Sequence, residues 1–195
     1  MNVLAQTRLQ SIGGRRALAA SLVGAAFTAV CAQIAIPLPG HPVPITMQVF
    51  AVVCCGMALG ARWGAVAQLQ YLAAGVLGAP VFAMGKAGPA ALVGPTGGYL
   101  VGFVAGAFVI GRLLETASHR SFASSFAAGM AGVATVYVFG AAWLAVWSGP
   151  ASASGWMAWV WGSAPYIGVD AVKVAVAARV LGGTGYLRVL RGESR

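Results

Sequence analysis

From Ala17 to Leu181 the chain is a succession of apolar runs separated by short loops, most of them near the ~20 residues that cross a bilayer. In hydrocarbon a backbone must satisfy its own hydrogen bonds, so such runs fold as helices packed into a bundle. The spacing predicts an all-α, polytopic membrane protein with six spans, at about 17–36, 47–60, 64–83, 98–114, 123–147 and 163–181. Composition agrees, because only 8% of residues are charged against ~25% in an average soluble domain. No connection is long enough for a soluble domain, so residues 1–195 read as a single transmembrane domain. A net charge of +9 on a soluble protein would point to nucleic acid. Here the cations lie in loops and tails, so the expected surroundings are a lipid bilayer and no nucleic acid.

Those cations predict an orientation. With six spans the termini share a side, and that side collects Arg8, Arg15, Arg16, Arg62, Arg112, Arg120, Arg179, Arg188, Arg191 and Arg195. The opposite side holds only Lys86. The positive-inside rule then places both termini in the cytoplasm and the loops at 37–46, 84–97 and 148–162 outside. Arg15 and Arg16 before an apolar run imitate a signal peptide, but the rest of the chain is equally apolar, so the run reads as a retained first span.

Two charges break the pattern. Asp170 and Lys173 lie inside the last span, SAPYIGVDAVKVAVAARVL, and an ionisable residue in a span is by default a functional-site hypothesis. Their i, i+3 spacing sets both on one helix face. With Ser163 as N-cap and Pro165 in the first turn, Asp170 lies roughly 9 Å into the helix, near its outer end. The pair is either an ion pair joining helices or a site for a small polar ligand.

Other segments converge on the same outer end. PLPGHPVPIT at 37–46, with His41, is a stiff extended loop. The stretch 84–97 is Gly/Pro-rich, and irregular backbone at membrane depth lines a cavity or is buried in protein. Its GPTGG run lets backbone approach a ligand, which nominates Gly97 and Gly98. It is not a phosphate loop, because the lysine and hydroxyl of that motif do not follow. Gln68 shares a face with Tyr71 and is either an interhelical hydrogen bonder or pocket lining. Trp147, Trp156, Trp159 and Trp161 crowd 147–161 as an interfacial belt or a lid. Ala17, Ser21, Ala25 and Ala29 recur every four residues, as do Gly98, Gly102 and Gly106. Such small-residue stripes let helices approach closely, within the chain or against another membrane subunit. Cys31, Cys54 and Cys55 lack metal-ligand spacing and read as packing residues. An intramembrane enzyme is disfavoured: the spans hold no Ser–His pair, no metal cluster and no paired acids. No catalytic residue, metal or cofactor is expected.

VPITMQ (Val43–Gln48), GAPVFA (Gly78–Ala83), GPTGGYLVGF (Gly94–Phe103) and DAVK (Asp170–Lys173) together resemble the BioY family, the biotin-binding S component of energy-coupling-factor (ECF) transporters. The resemblance runs from span 1 to span 6. It implies a six-helix S component in the bacterial cytoplasmic membrane that captures biotin from outside. It also implies partners: a transmembrane coupling subunit and two cytoplasmic ATP-hydrolysing subunits, with the stripe Ala17, Ser21, Ala25 and Ala29 facing the coupling subunit. Asp170 and Lys173 map onto biotin contacts, while Tyr99, Phe82 and Trp161 are candidates for an apolar wall. Lys173 is expected at either the ureido oxygen or the carboxylate of biotin. An S component for another vitamin and a purely structural membrane subunit are the competing expectations.

Overall fold

A computed structural model describes the backbone of residues 3–39, 43–148 and 155–182, and the side chains of 14–39, 43–147 and 166–182. His41, the side chains of Trp156, Trp159 and Trp161, and the tail with Arg188, Arg191 and Arg195 lie outside the described residues. Helix α1 spans Val3–Gln33. Two short strands, β1 (Ala35–Ile36) and β2 (Ile45–Thr46), pair antiparallel across the Pro-rich loop. Then follow α2 (Gln48–Val76), a 3-10 turn (Ala83–Gly85), the one-turn α3 (Ala90–Val93), α4 (Gly97–Thr116), α5 (Phe122–Ser148) and α6 (Gly155–Leu181).

The nominal helix α2 is two antiparallel arms, 48–59 and 61–76, folded about Gly60 at φ 78°, ψ −176°. Residues far apart in sequence therefore meet: Gln48 Nε2 donates to Tyr71 Oη at 2.7 Å, and a Cβ on Gly64 would sit 3.1 Å from the Gly56 Cα. With α1, the two arms, α4, α5 and α6, the described residues form six long helical segments. Helix ends at the Gly60 fold are capped from the last turn of α4 and from the α4–α5 connection. Glu115 Oε1 accepts from the Ala61 N–H at 3.0 Å, and Arg120 Nη1 donates to the Met57 carbonyl at 3.2 Å. A carboxylate at a helix N-terminus and a guanidinium at a C-terminus also suit the two dipole ends.

Small residues set the helix spacing. Gly24 of α1 drops into the groove of the α2 hairpin, where a Cβ would lie 3.0 Å from Cys55 Sγ and 3.1 Å from Ala67 Cβ. Ala17, Ser21 and Ala25 are buried on this inward face, and Ala29 is half-buried. Within this chain their small side chains serve the close approach of α1 to α2, the intramolecular packing that such a stripe allows. The outward face of α1 instead carries Leu18, Leu22, Val23 and Val30. The glycine stripe of α4 does the same for α5: a Cβ on Gly98 would be 2.2 Å from Trp143 Cβ, and one on Gly106 would be 2.9 Å from the Gly132 carbonyl oxygen. On the outer faces of α5 and α6, Val138, Val146, Val172, Val176 and Val180 are exposed, as suits a multi-pass membrane protein in contact with lipid.

Three expected boundaries shift. The first span ends at Gln33, not 36, because Ala35 and Ile36 pair with β2. The third ends at Val76, not 83: Gly78 at φ 104° closes the helix, with Ala79 N–H bonded to Ala74 O and Gly78 N–H to Gly75 O, a Schellman cap. Helix α6 begins at Gly155, so Ser163 is not an N-cap and Pro165 is not in the first turn. Asp170 therefore lies about 22 Å along α6 at ~1.5 Å per residue, near its middle rather than its start.

Candidate functional site

Buried charge is costly unless it is paired and hydrogen-bonded, and the surroundings of Asp170 meet that demand. The residue is 2% exposed and Lys173 8%. Lys173 Nζ donates to Asp170 Oδ1 at 2.6 Å and to the Thr46 carbonyl at 2.7 Å. Tyr137 on α5 donates its hydroxyl to Asp170 Oδ2 at 2.5 Å. Tyr166, one turn before Asp170, donates to the Val43 carbonyl. Helix α6 thus holds the 43–46 segment from below with both a lysine and a tyrosine. That segment is also fixed from within: Thr46 Oγ1 donates to Gln48 Oε1 at 3.0 Å, and Gln48 passes its own amide proton to Tyr71.

The group forms the floor of a cavity with about 760 Å³ of empty space, its open mouth included. One wall is Tyr99, Leu100 and Phe103 from α4; the opposite wall is Phe82 with Ala83 and Met84; Val43, Pro44 and Thr46 close a third side. Phe82 is placed by three contacts. Its ring meets Tyr71 edge-on at 5.5 Å, lies over Gly75, where a Cβ would be 2.1 Å from Phe82 Cζ, and its carbonyl accepts from Gln33 Nε2 at 3.3 Å. Only a glycine at position 75 leaves the ring room. Tyr99 sits against Gly140 in the same manner. The arrangement is an apolar, aromatic slot ending in a polar cluster with no net charge. It can accept donors at the carboxylate's remaining lone pairs and offer protons from Lys173, which suits a neutral ring that both donates and accepts hydrogen bonds.

Of the residues nominated from sequence, Asp170, Lys173, Tyr99 and Phe82 come together around this cavity. Gly97 and Gly98 do not. They line a shallow apolar groove with Val138 and Trp143 on another face. Their lack of a side chain serves packing, since a Cβ on Gly97 would sit 1.8 Å from the Leu92 carbonyl oxygen. Gln68 is also elsewhere: it is buried and donates to Thr28 Oγ1 on α1 at 3.2 Å, the interhelical role. Trp161 belongs to α6, but its side chain is outside the described residues. Sequence reasoning missed Tyr137, Tyr166, Thr46 and Lys86, all on the cavity lining. For Tyr166 a signal exists, since 166, 170 and 173 fall on one helix face. For Tyr137 none does, because only tertiary packing brings α5 to Asp170. Among the described residues no group of three His, Cys, Asp or Glu side chains could hold a metal.

Comparison with known proteins agrees with this architecture. A likeness in fold extends over the whole chain to a solved structure described as the S-component for biotin from an ECF-type ABC transporter. Its TM-score is 0.74 at 23% identity, covering 100% of this chain and 96% of that one. A protein of Thermotoga maritima named biotin transporter BioY is 49% identical over 115 residues, 59% of this chain and 66% of the relative. A probable biotin transporter BioY of Pyrococcus horikoshii is 38% identical over 152 residues, 78% of this chain and 85% of the relative. The biotin transporter BioY of Rhizobium etli is 38% identical over 144 residues. The model of the BioY family matches residues 5–188, so the chain belongs to the BioY family.

Proposed function

We propose that this chain captures biotin with high affinity and admits it across the cytoplasmic membrane as the substrate-specific subunit of an ECF-type transporter. The observation that carries the reading is the charge-neutral floor: Asp170, Lys173 and Tyr137 joined by hydrogen bonds of 2.5 and 2.6 Å under an aromatic slot. The ureido ring of biotin has two N–H donors and one carbonyl acceptor. Asp170 accepts from the ring, Lys173 donates to its carbonyl, and charge-assisted bonds of this kind are about twice as strong as neutral ones. The thiophane ring and alkyl chain then lie along Tyr99, Phe82 and Phe103. The names carried by the relatives support the same ligand. Coupling to ATP hydrolysis falls to a transmembrane partner and two cytoplasmic ATPase subunits. The outward apolar face of α1, with Leu18, Leu22 and Val23, is open to the membrane for such a neighbour.

Equilibrium binding on detergent-purified protein tests the reading. Asp170→Asn replaces an acceptor with a donor facing a ligand N–H and lowers biotin affinity at least tenfold, about 1.4 kcal/mol or more. Lys173→Met lowers it similarly. Competition by thiamin or riboflavin at equal concentration leaves bound biotin in place. If both variants fold and bind biotin as tightly as wild type, the pair is only an internal ion pair and the site is wrong.

A further inference from the structure

The floor of the cavity holds no net charge, yet biotin ends in a carboxylate. Lys173 is already paired with Asp170 at 2.6 Å and bonded to the Thr46 carbonyl at 2.7 Å, so its charge is offset and two of its three protons are engaged. The anionic end of the ligand needs a different cation. Among the described residues one other cationic side chain lines the cavity: Lys86, exposed where Asp170 and Lys173 are buried, and therefore at the mouth. Among the described residues no side chain or carbonyl makes a hydrogen bond or ion pair with its ammonium group.

The turn that carries Lys86 is held tightly. Phe82 N–H donates to the Lys86 carbonyl at 3.0 Å, Gly85 N–H to the Phe82 carbonyl at 3.1 Å, and Gly88 N–H to the Gly75 carbonyl at 2.7 Å. Closing it requires left-handed backbone at Met84 (φ 61°), Gly85 (φ 71°) and Gly88 (φ 83°). Methionine rarely adopts that conformation, and such residues persist where the surrounding structure dictates them, often beside a ligand. Lys86 is also the single cation on the side that the charge distribution otherwise leaves bare.

We propose that Lys86 is a specificity-determining residue that binds the ligand's carboxylate at the cavity mouth, with the ureido ring on the Asp170–Lys173–Tyr137 floor. The proposal rests on the biotin reading above and assigns Lys173 to the ring. Biotin and its uncharged methyl ester, measured side by side by equilibrium binding on the full chain, test it. Wild type prefers biotin over the ester about three- to tenfold, and the preference shrinks from low to high salt, as it must for an exposed cation. Lys86→Met removes the preference by weakening biotin alone, and Lys86→Arg restores it. If Lys86→Met weakens both ligands alike, Lys86 serves only the loop, and if it weakens neither, it has no role; either result overturns the assignment while the biotin reading stands. Poor binding of the ester to both wild type and Lys86→Met, with Lys173→Met unable to tell ester from acid, places the carboxylate on Lys173 and overturns it too. A folded wild type that binds neither ligand overturns the biotin reading and this proposal together.

Discussion

Asp170 is legible in the sequence because hydrocarbon makes it expensive; its neighbours are not, because their cost is small. A tyrosine in a span is ordinary, and Tyr137 becomes informative only once its hydroxyl lies 2.5 Å from Asp170 Oδ2. That bond fixes the carboxylate plane and takes up one of its lone pairs, so Tyr137 is a positioning residue. Tyr137→Phe keeps the ring and loses the donor. Biotin affinity falls about three- to tenfold, within the ~0.5–1.5 kcal/mol of one hydrogen bond, while the ratio of biotin to methyl ester affinity stays at its wild-type value. A change in that ratio would mean that Tyr137 acts at the carboxylate end instead. Gly97 and Gly98 illustrate the opposite error. A glycine-rich run predicts close approach of backbone without saying to what, and here the approaching groups are Leu92 and Trp143 rather than a ligand.

At the scale of elements, six apolar runs were enough to give the helices, and turn chemistry decides where they stop. Gly78 followed by Pro80 is a helix-stop signal in the sequence, and the Schellman cap at Gly78 answers it; apolar content alone extended the span past it. The α1 stripe was legible as a close-packing face but not as to its partner, since both a foreign helix and the α2 hairpin satisfy the same small residues. Ala25→Leu now tests internal packing. With Ala25 8% exposed, the added volume overpacks α1 against α2, costs about 1–3 kcal/mol, and lowers the melting temperature in detergent. An unchanged melting temperature would return the stripe to the outer surface. At the far end of the bundle, Glu115→Ala leaves the Ala61 N–H unsatisfied and costs about 1 kcal/mol of stability, with biotin affinity unaltered because Glu115 is not on the cavity lining. A loss of affinity without loss of stability would show that the Gly60 fold communicates with the site.

The whole molecule divides into two ends with different chemistry. One end gathers the 43–46 segment, the Phe82–Lys86 turn, α3 and the first turn of α4 around the cavity, with Lys173 buried in its floor and Lys86 exposed. The other holds the Gly60 fold and the α4–α5 connection, with Arg62, Arg112 and Arg120. The positive-inside rule predicts the second end in the cytoplasm and a cavity that opens outward. Single cysteines in a Cys-free background test this directly, because Ala87 and Ser118 are both exposed and lie at opposite ends. A membrane-impermeant thiol reagent applied to intact cells labels a cysteine at Ala87 and leaves one at Ser118 unlabelled until the membrane is permeabilised. Biotin added beforehand slows labelling at Ala87, beside Lys86, and has no effect at Ser118. Labelling of Ser118 alone in intact cells would invert the molecule and place the cavity mouth in the cytoplasm, where it could release a ligand but not collect one from outside.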